Sequence, residues 1–178
     1  MLHESLVTLT TPEDNMSDGK PKNWDNVDIK HDARLINPEA YYEDPDFKTV
    51  LQSYRGRLHN TNFLVPIAGL RAIKKLMAAS NDRLLLISSD KAYSHIDELE
   101  NLRHPSLAFH GSFSMMVNYD AIAEYFKAKG GDSHLQSHRR GLKTNVFCLG
   151  ADFDELPNMR RSVNTYVEGF APADYFIL

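Results

Sequence analysis

The sequence predicts an α/β fold: a mixed sheet, parallel at its centre with an antiparallel edge pair, and helices on its faces. Three observations carry that expectation. Residues 84–87 are an unbroken apolar run, as in a strand buried on both faces. Helical periodicity precedes and follows that run. Two strand-like segments late in the chain, 135–139 and 142–149, are separated only by a turn at Gly141 and read as an antiparallel pair.

Taken in order, Leu6, Val7, Thr8 and Leu9 have strand composition close to the first residue. Residues 12–37 are polar and punctuated by Gly19, Pro21 and repeated Asp and Asn, so they read as a long loop with Trp24 its one large aromatic. A first helix follows: Asp44 is an N-cap, Pro45 suits the first turn, and Phe47, Val50, Leu51, Tyr54 and Leu58 make one apolar stripe. A second opens at Pro66 and carries Ile67, Leu70, Ile73 and Met77 on one side, with Asn81 near its end. After the run at 84–87, the segment "LAFHGSFSMMVN" has mixed strand character and leads to a third helix. Asn118 caps that helix, Ala121, Ile122, Tyr125 and Phe126 face the core, and Gly130 takes the left-handed position that ends it. A fourth helix has Leu156, Met159, Val163, Tyr166 and Phe170 at helical spacing, and the chain closes on strand-like "DYFIL".

The 178 residues, 42% hydrophobic and 25% charged, suffice for one domain spanning 1–178. A net charge of −4 gives no field that gathers nucleic acid or an anionic membrane surface. The single cysteine, Cys148, lies in an apolar run and reads as a core residue. No apolar run reaches the roughly 20 residues that cross a bilayer, and the amino terminus lacks a basic-then-apolar signal pattern. A reducing, cytoplasmic setting is the expectation.

In open α/β sheets, ligands sit beyond the carboxyl ends of the strands. The polar run Ser88, Ser89, Asp90 and Lys91 behind the apolar strand would occupy that place. Asp90 would accept hydrogen bonds there and Lys91 would hold an anionic group; the plainer reading is a solvated strand end. His134 and His138 have metal-ligand spacing for a helix, but the segment reads as a strand and no third ligand is near, so no metal is expected. His110 and Ser112 are a base and a hydroxyl in sequence, without the G-x-S-x-G elbow or a partnered acid. Arg139, Arg140 and Lys143 form a small basic cluster without interleaved aromatics and read as a solvated face. No G-x-G-x-x-G, G-x-x-x-x-G-K-[ST] or H-E-x-x-H motif occurs.

"TNFLVPIAGLRAIKKLMAASNDRLLLISSDKAY", "HGSFSMMVNYDAIAEYFKAKGG" and the closing "APADYFIL" resemble the later half of class I S-adenosylmethionine-dependent methyltransferases, nearest the MidA-like group. The resemblance implies an incomplete Rossmann-like methyltransferase sheet. Leu6 to Leu9 would be a middle strand, 84–87 the next parallel strand, and 135–149 the edge pair. It also implies S-adenosylmethionine as cofactor, with Asp90, Lys91, His110, Ser112 and Asn118 on the substrate side of the cleft. No catalytic role transfers to any one of them, and the glycine-rich loop and ribose-binding acid of such enzymes have no counterpart here. The chain is expected to be inactive or partner-dependent by itself. An interior strand exposed at its edge must pair with something, so a protein partner or a homo-oligomer is expected. The alternative is a non-catalytic binding or assembly module that uses the same edge.

Overall fold

The computed structural model describes residues 1–103, 108–109, 113–138 and 142–169. Leu2–Thr10 (β1) is followed by a small hairpin, Met16–Ser17 (β2) and Lys20–Pro21 (β3), and then by Asp28–Ile36 (β4). The hairpin turns at Asp18 and Gly19, with φ of 50° and 74°; Asp-Gly favours such a two-residue turn. β1 and β4 pair antiparallel over their whole length, from Leu2 opposite Ile36 to Thr10 opposite Asp28.

Two expectations are corrected here. Residues 28–36, assigned to a long loop, form a strand: Ile29, Ala33 and Leu35 alternate with Lys30, Asp32 and Arg34, a period of two hidden by the high charge. And β1 is not a middle strand of the main sheet, because β4 is its sole strand neighbour among the described residues. Most of both strands is exposed, Leu6, Val7 and Leu9 included.

Pro45–Ser53 (α1) begins as expected, with Asp44 accepting a hydrogen bond from the Asp46 amide at 3.0 Å. It buries Phe47, Val50 and Leu51. Ile67–Ala79 (α2) buries Leu70, Ile73 and Met77. Its chain turns back through Asn81 and Asp82, both left-handed, with the Asp82 amide on the Met77 carbonyl at 2.9 Å. Leu84–Tyr93 (β5) follows, then a 3-10 turn at Ile96–Leu99, the short hairpin Ala108–Phe109 (β6) and Phe113–Ser114 (β7), and Val117–Asn118 (β8). Asn118 caps Tyr119–Ala128 (α3), accepting from the Ala121 amide at 3.1 Å. Gly130 and Gly131 end α3 by donating to the Lys127 and Phe126 carbonyls at 3.0 and 2.8 Å. Asp132–His134 (β9), Leu142–Leu149 (β10) and Pro157–Val163 (α4) complete the order, and α4 runs into a π turn at Asn164–Glu168.

The main sheet is four-stranded and mixed, in the order β8-β5-β10-β9. β5 runs parallel to β8 and antiparallel to β10, and β10 is antiparallel to β9. This is an α/β architecture consistent with an incomplete Rossmann-like sheet, its antiparallel pair at one edge. That pair lies three residues earlier than expected on its first strand, at Asp132–His134 instead of 135–139. The chain leaves the ladder where Gln136 turns inward and its side chain accepts from the Thr144 amide at 2.9 Å.

The core lies on one face. Leu84 and Leu86 of β5 and Phe147 and Leu149 of β10 pack beneath Tyr119, Ile122, Tyr125 and Phe126 of α3, with α1 and α2 alongside. Phe126 and Phe147 rings sit 5.2 Å apart. On the other face, Val146 and Cys148 are covered by Phe153, Val163, Met159 and Val167. That cover stops at β10: Leu85 is 49% exposed and Ile87 62%. The run at 84–87 is therefore buried on one face only, and β5 extends six residues beyond it. Tyr166, expected on the core stripe of the fourth helix, is 72% exposed. The π turn inserts a residue into the helical phase and brings Val167 inward instead. Phe170 and the closing "DYFIL" lie outside the described residues.

A one-faced sheet makes a direct prediction. Phe147→Ala removes a ring from the covered face and should cost about 3–5 kcal/mol, whereas Leu85→Ser on the open face should change stability by no more than about 0.5 kcal/mol. Urea denaturation of both variants checks this, and equal losses would contradict the layering.

Candidate functional site

The crevice beyond a strand's carboxyl end exists here, six residues later than the sequence placed it. β5 and β8 end side by side, with Ala92 opposite Val117 and Tyr93 opposite Asn118. Ser94, His95 and the 3-10 turn leave β5 there, and α3 starts from β8.

The polar groups at this end are bound to one another. The Asn145 side-chain oxygen accepts from the Ser94 hydroxyl at 3.1 Å and from the Gln136 amide at 2.9 Å. His95 Nε2 meets the Gln136 carbonyl at 2.8 Å, and the Gln136 side-chain amide donates to the Val167 carbonyl. Glu98 accepts from the Ser94 and His95 amides at 2.7 and 3.0 Å and from Lys143 Nζ. Burial alone would raise the Glu98 carboxyl, but the bonds from Lys143, His95 and Ser94 together outweigh it and hold it below the usual carboxylate value. Lys143, expected on a solvated basic face, is a correction: its side chain is 2% exposed. Its Arg139 and Arg140 neighbours lie outside the described residues.

A second group sits against the first turn of α3. Asn118 donates to the Tyr54 hydroxyl at 3.3 Å and the Leu64 carbonyl at 2.9 Å. Burial raises Asp120 above the usual carboxylate value, against a hydrogen bond with Tyr54 and the nearby charge of Arg57, whose Nη2 is 3.9 Å away. Burial also pushes the Tyr54 hydroxyl up, with Asp120 adding to it. The buried Asp120 Oδ1 and Asn145 Nδ2 have no hydrogen-bond partner among the described residues.

Asp90 and Lys91, the candidate pocket wall, lie within β5 rather than past it. Both are exposed, opposite Lys143 and Leu142 of β10, and Asp90 accepts from the Lys91 amide at 2.7 Å. The negative charge of Asp90 adds to the burial that raises Tyr119, while Ser88, 2.7 Å from the Tyr119 hydroxyl, works the other way. Asn118 does stand at the end of a strand, but it is buried and its side chain is used up in capping α3 and bonding Tyr54 and Leu64. His110 and Ser112 lie outside the described residues. His134 and His138 go to different carboxylates, Glu168 at 2.9 Å and Asp97 at 2.8 Å, with His138 stacked on His95 at 4.4 Å. Among the described residues no cluster of three His, Cys, Asp or Glu side chains would hold a metal ion. Burial raises the Cys148 thiol, which suits a core residue.

Sequence reading missed Ser94, His95, Glu98, Gln136 and Asn145. The one legible signal was the alternation of Lys143 and Asn145 with Leu142, Thr144 and Val146, which places two polar side chains on a face that must be covered.

The described residues at this place do not by themselves fit S-adenosylmethionine. The cavity between Asn62, Phe63, Leu64, Tyr93, Leu99, Leu102, Met116 and Asn118 measures about 10 Å³, room for a single water. None of the described glycines follows the end of β5 or β8 to form a phosphate- or ribose-cradling loop. No family model, curated protein or solved structure matches the chain. No helix among the described residues is long and apolar enough to cross a membrane.

The Lys143–Glu98 pair sets a pH dependence. A carboxyl held low in the fold contributes stability above its unfolded value, about pH 4.3, and that stability is lost as pH falls through the folded value. Lys143→Met should cost about 1–3 kcal/mol near neutrality, because it leaves a partly buried carboxylate with only its two amide bonds. The variant should also lose less stability than the parent on acidification, measured by urea midpoints across pH; parallel curves would refute the pairing.

Proposed function

We propose that this chain is a methyltransferase-like α/β half-sheet whose S-adenosylmethionine-dependent activity, implied by resemblance, requires a partner polypeptide to complete the cofactor side. One observation carries the reading: along 84–91, β5 is paired to β10 on one side, and no described strand pairs with its other side. In the methyltransferase resemblance that side is where the cofactor-bearing strands belong. The antiparallel β9-β10 pair on the far side, following a helix that starts from a strand end, is the order the resemblance implies. Methyl transfer to a protein or small nucleophile depends mostly on positioning and exclusion of water. The bound-up polar end of β5 gives a rigid wall for such a site and leaves the opposite wall to the partner.

A second reading is favoured by the small cavity and by the polar side chains at the end of β5 that bond to one another. It makes the chain a non-catalytic assembly module, with the same β5 edge as its binding surface. Under either reading the partner is a polypeptide rather than a nucleic acid or a membrane. The reducing, cytoplasmic setting fits a lone, buried Cys148.

Isothermal titration of the isolated chain with S-adenosylmethionine tests the first reading. No heat of binding at micromolar cofactor is expected, and micromolar affinity would show that the chain carries its own cofactor site.

A further inference from the structure

The tyrosine pair that precedes α1 lines a cavity to which β5 contributes no residue, and the partner-completed reading makes no use of it. In β1, Leu2 and Glu4 alternate with His3 and Ser5 and share one face, with Glu4 opposite Arg34 of β4. The chain leaves β4 through a turn in which the Ala40 amide donates to the Asn37 carbonyl at 3.1 Å. That turn returns Tyr41 to β1, where its hydroxyl donates to Glu4 Oε1 at 2.5 Å, while Arg34 donates to Oε2 at 2.6 Å. The strap between α1 and α2 supplies another wall. It is fixed where the Asn62 amide donates to the Leu102 carbonyl at 2.8 Å, and it contributes Phe63. The cavity measures about 480 Å³, the size of a small-molecule site.

Its lining selects a ligand class. The Tyr41 and Tyr42 rings are 4.8 Å apart and nearly perpendicular, at 72°, and Phe63 adds a third ring. Aromatic faces attract cations. Glu4 is the one Asp, Glu, Lys or Arg side chain among the described lining residues, and Met1, which also lines the cavity, is fully exposed. The bond from Tyr41 first, with Arg34 adding to it, holds the Glu4 carboxyl below its usual value against burial. The same bond and burial push the Tyr41 hydroxyl up to about 12. At neutral pH the carboxylate is therefore ionised and the phenol protonated. The Arg34 side chain is 66% exposed against 22% for Glu4, so water screens the guanidinium more than the carboxylate. Both Glu4 oxygens already accept hydrogen bonds, and a ligand is offered charge and ring faces rather than free acceptors.

We propose that this cavity binds a permethylated ammonium group, seated against Tyr41, Tyr42 and Phe63 and facing the Glu4 carboxylate. Such a cation has no N–H to satisfy, so charge and ring faces are all it needs. A primary ammonium would have to exchange water for oxygens that are already engaged. The proposal goes beyond the half-sheet reading and does not rest on it, since the site lies on other elements and needs no second chain.

Choline titrated into the isolated chain and followed by NMR should shift Tyr41, Tyr42 and Phe63 resonances saturably. Its uncharged carbon analogue, dimethylbutanol, should bind about tenfold more weakly. Glu4→Gln keeps the side-chain shape without the charge and should remove that difference. Phe63→Leu leaves the Glu4–Tyr41 bond in place and should weaken choline more than dimethylbutanol, which keeps the test decisive even where Glu4→Gln disturbs the β1–β4 ribbon. A short peptide carrying trimethyllysine separates a cation on a polypeptide from a free one, the tighter ligand marking the source. Equal binding of choline and dimethylbutanol, or no saturable shift with any of the cations, overturns the proposal and leaves the half-sheet reading to its own cofactor titration.

Discussion

The ladder between β5 and β10 is the interaction on which the rest of the molecule depends. Its residue pairs run from Leu142 opposite Lys91 to Leu149 opposite Leu84. They fix which side chains face α3 and which face outward. Because Phe147 lies opposite Leu86 and Leu149 opposite Leu84, the inner face receives the rings of Tyr119, Tyr125 and Phe126. The same register puts Val146 and Cys148 beside Ile87 and Leu85 on the outer face, where α4 reaches only β10. The exposure of Leu85 and Ile87 follows from that uneven cover.

At its polar end the ladder is pinned rather than open. Asn145 faces inward from β10 and gathers Ser94 and Gln136, while Lys143, two residues earlier, reaches Glu98. Buried polar groups of this sort are costly unless satisfied, and once satisfied they fix a unique arrangement. The result is a rigid crevice wall with little internal volume. Chemistry at such a wall needs a second surface to supply the remaining space and charge, which links the closed polar end to the open strand edge.

The helices and their caps were legible because their signals are local. Asp44 with Pro45, Asn118 before Tyr119, and the pair Gly130 and Gly131 each act within one turn of chain, and the apolar stripes of α1, α2 and α3 have the helical period. The strands were legible as segments but less so as neighbours. β4 escaped notice because charged residues alternate with its apolar ones, and β1 looked like an interior strand although its partner is β4. The apolar run at 84–87 suggested burial on both faces, yet nothing local reveals that the cover over Leu85 and Ile87 is missing. Asp90 and Lys91 looked like the end of a strand because polarity rises at Ser88; pairing with β10 carries the strand on to Tyr93. Long-range pairings also explain why Lys143 read as a surface charge, since Glu98, its partner, lies 45 residues away in sequence.

Amide hydrogen exchange along β5, followed by NMR on the isolated chain, tests the central claim most directly. Amides of 84–91 that point toward β10 should be protected and the alternating ones should exchange freely. Uniform protection of all these amides would mean that the β5 edge is already paired within one chain, and the account would fail.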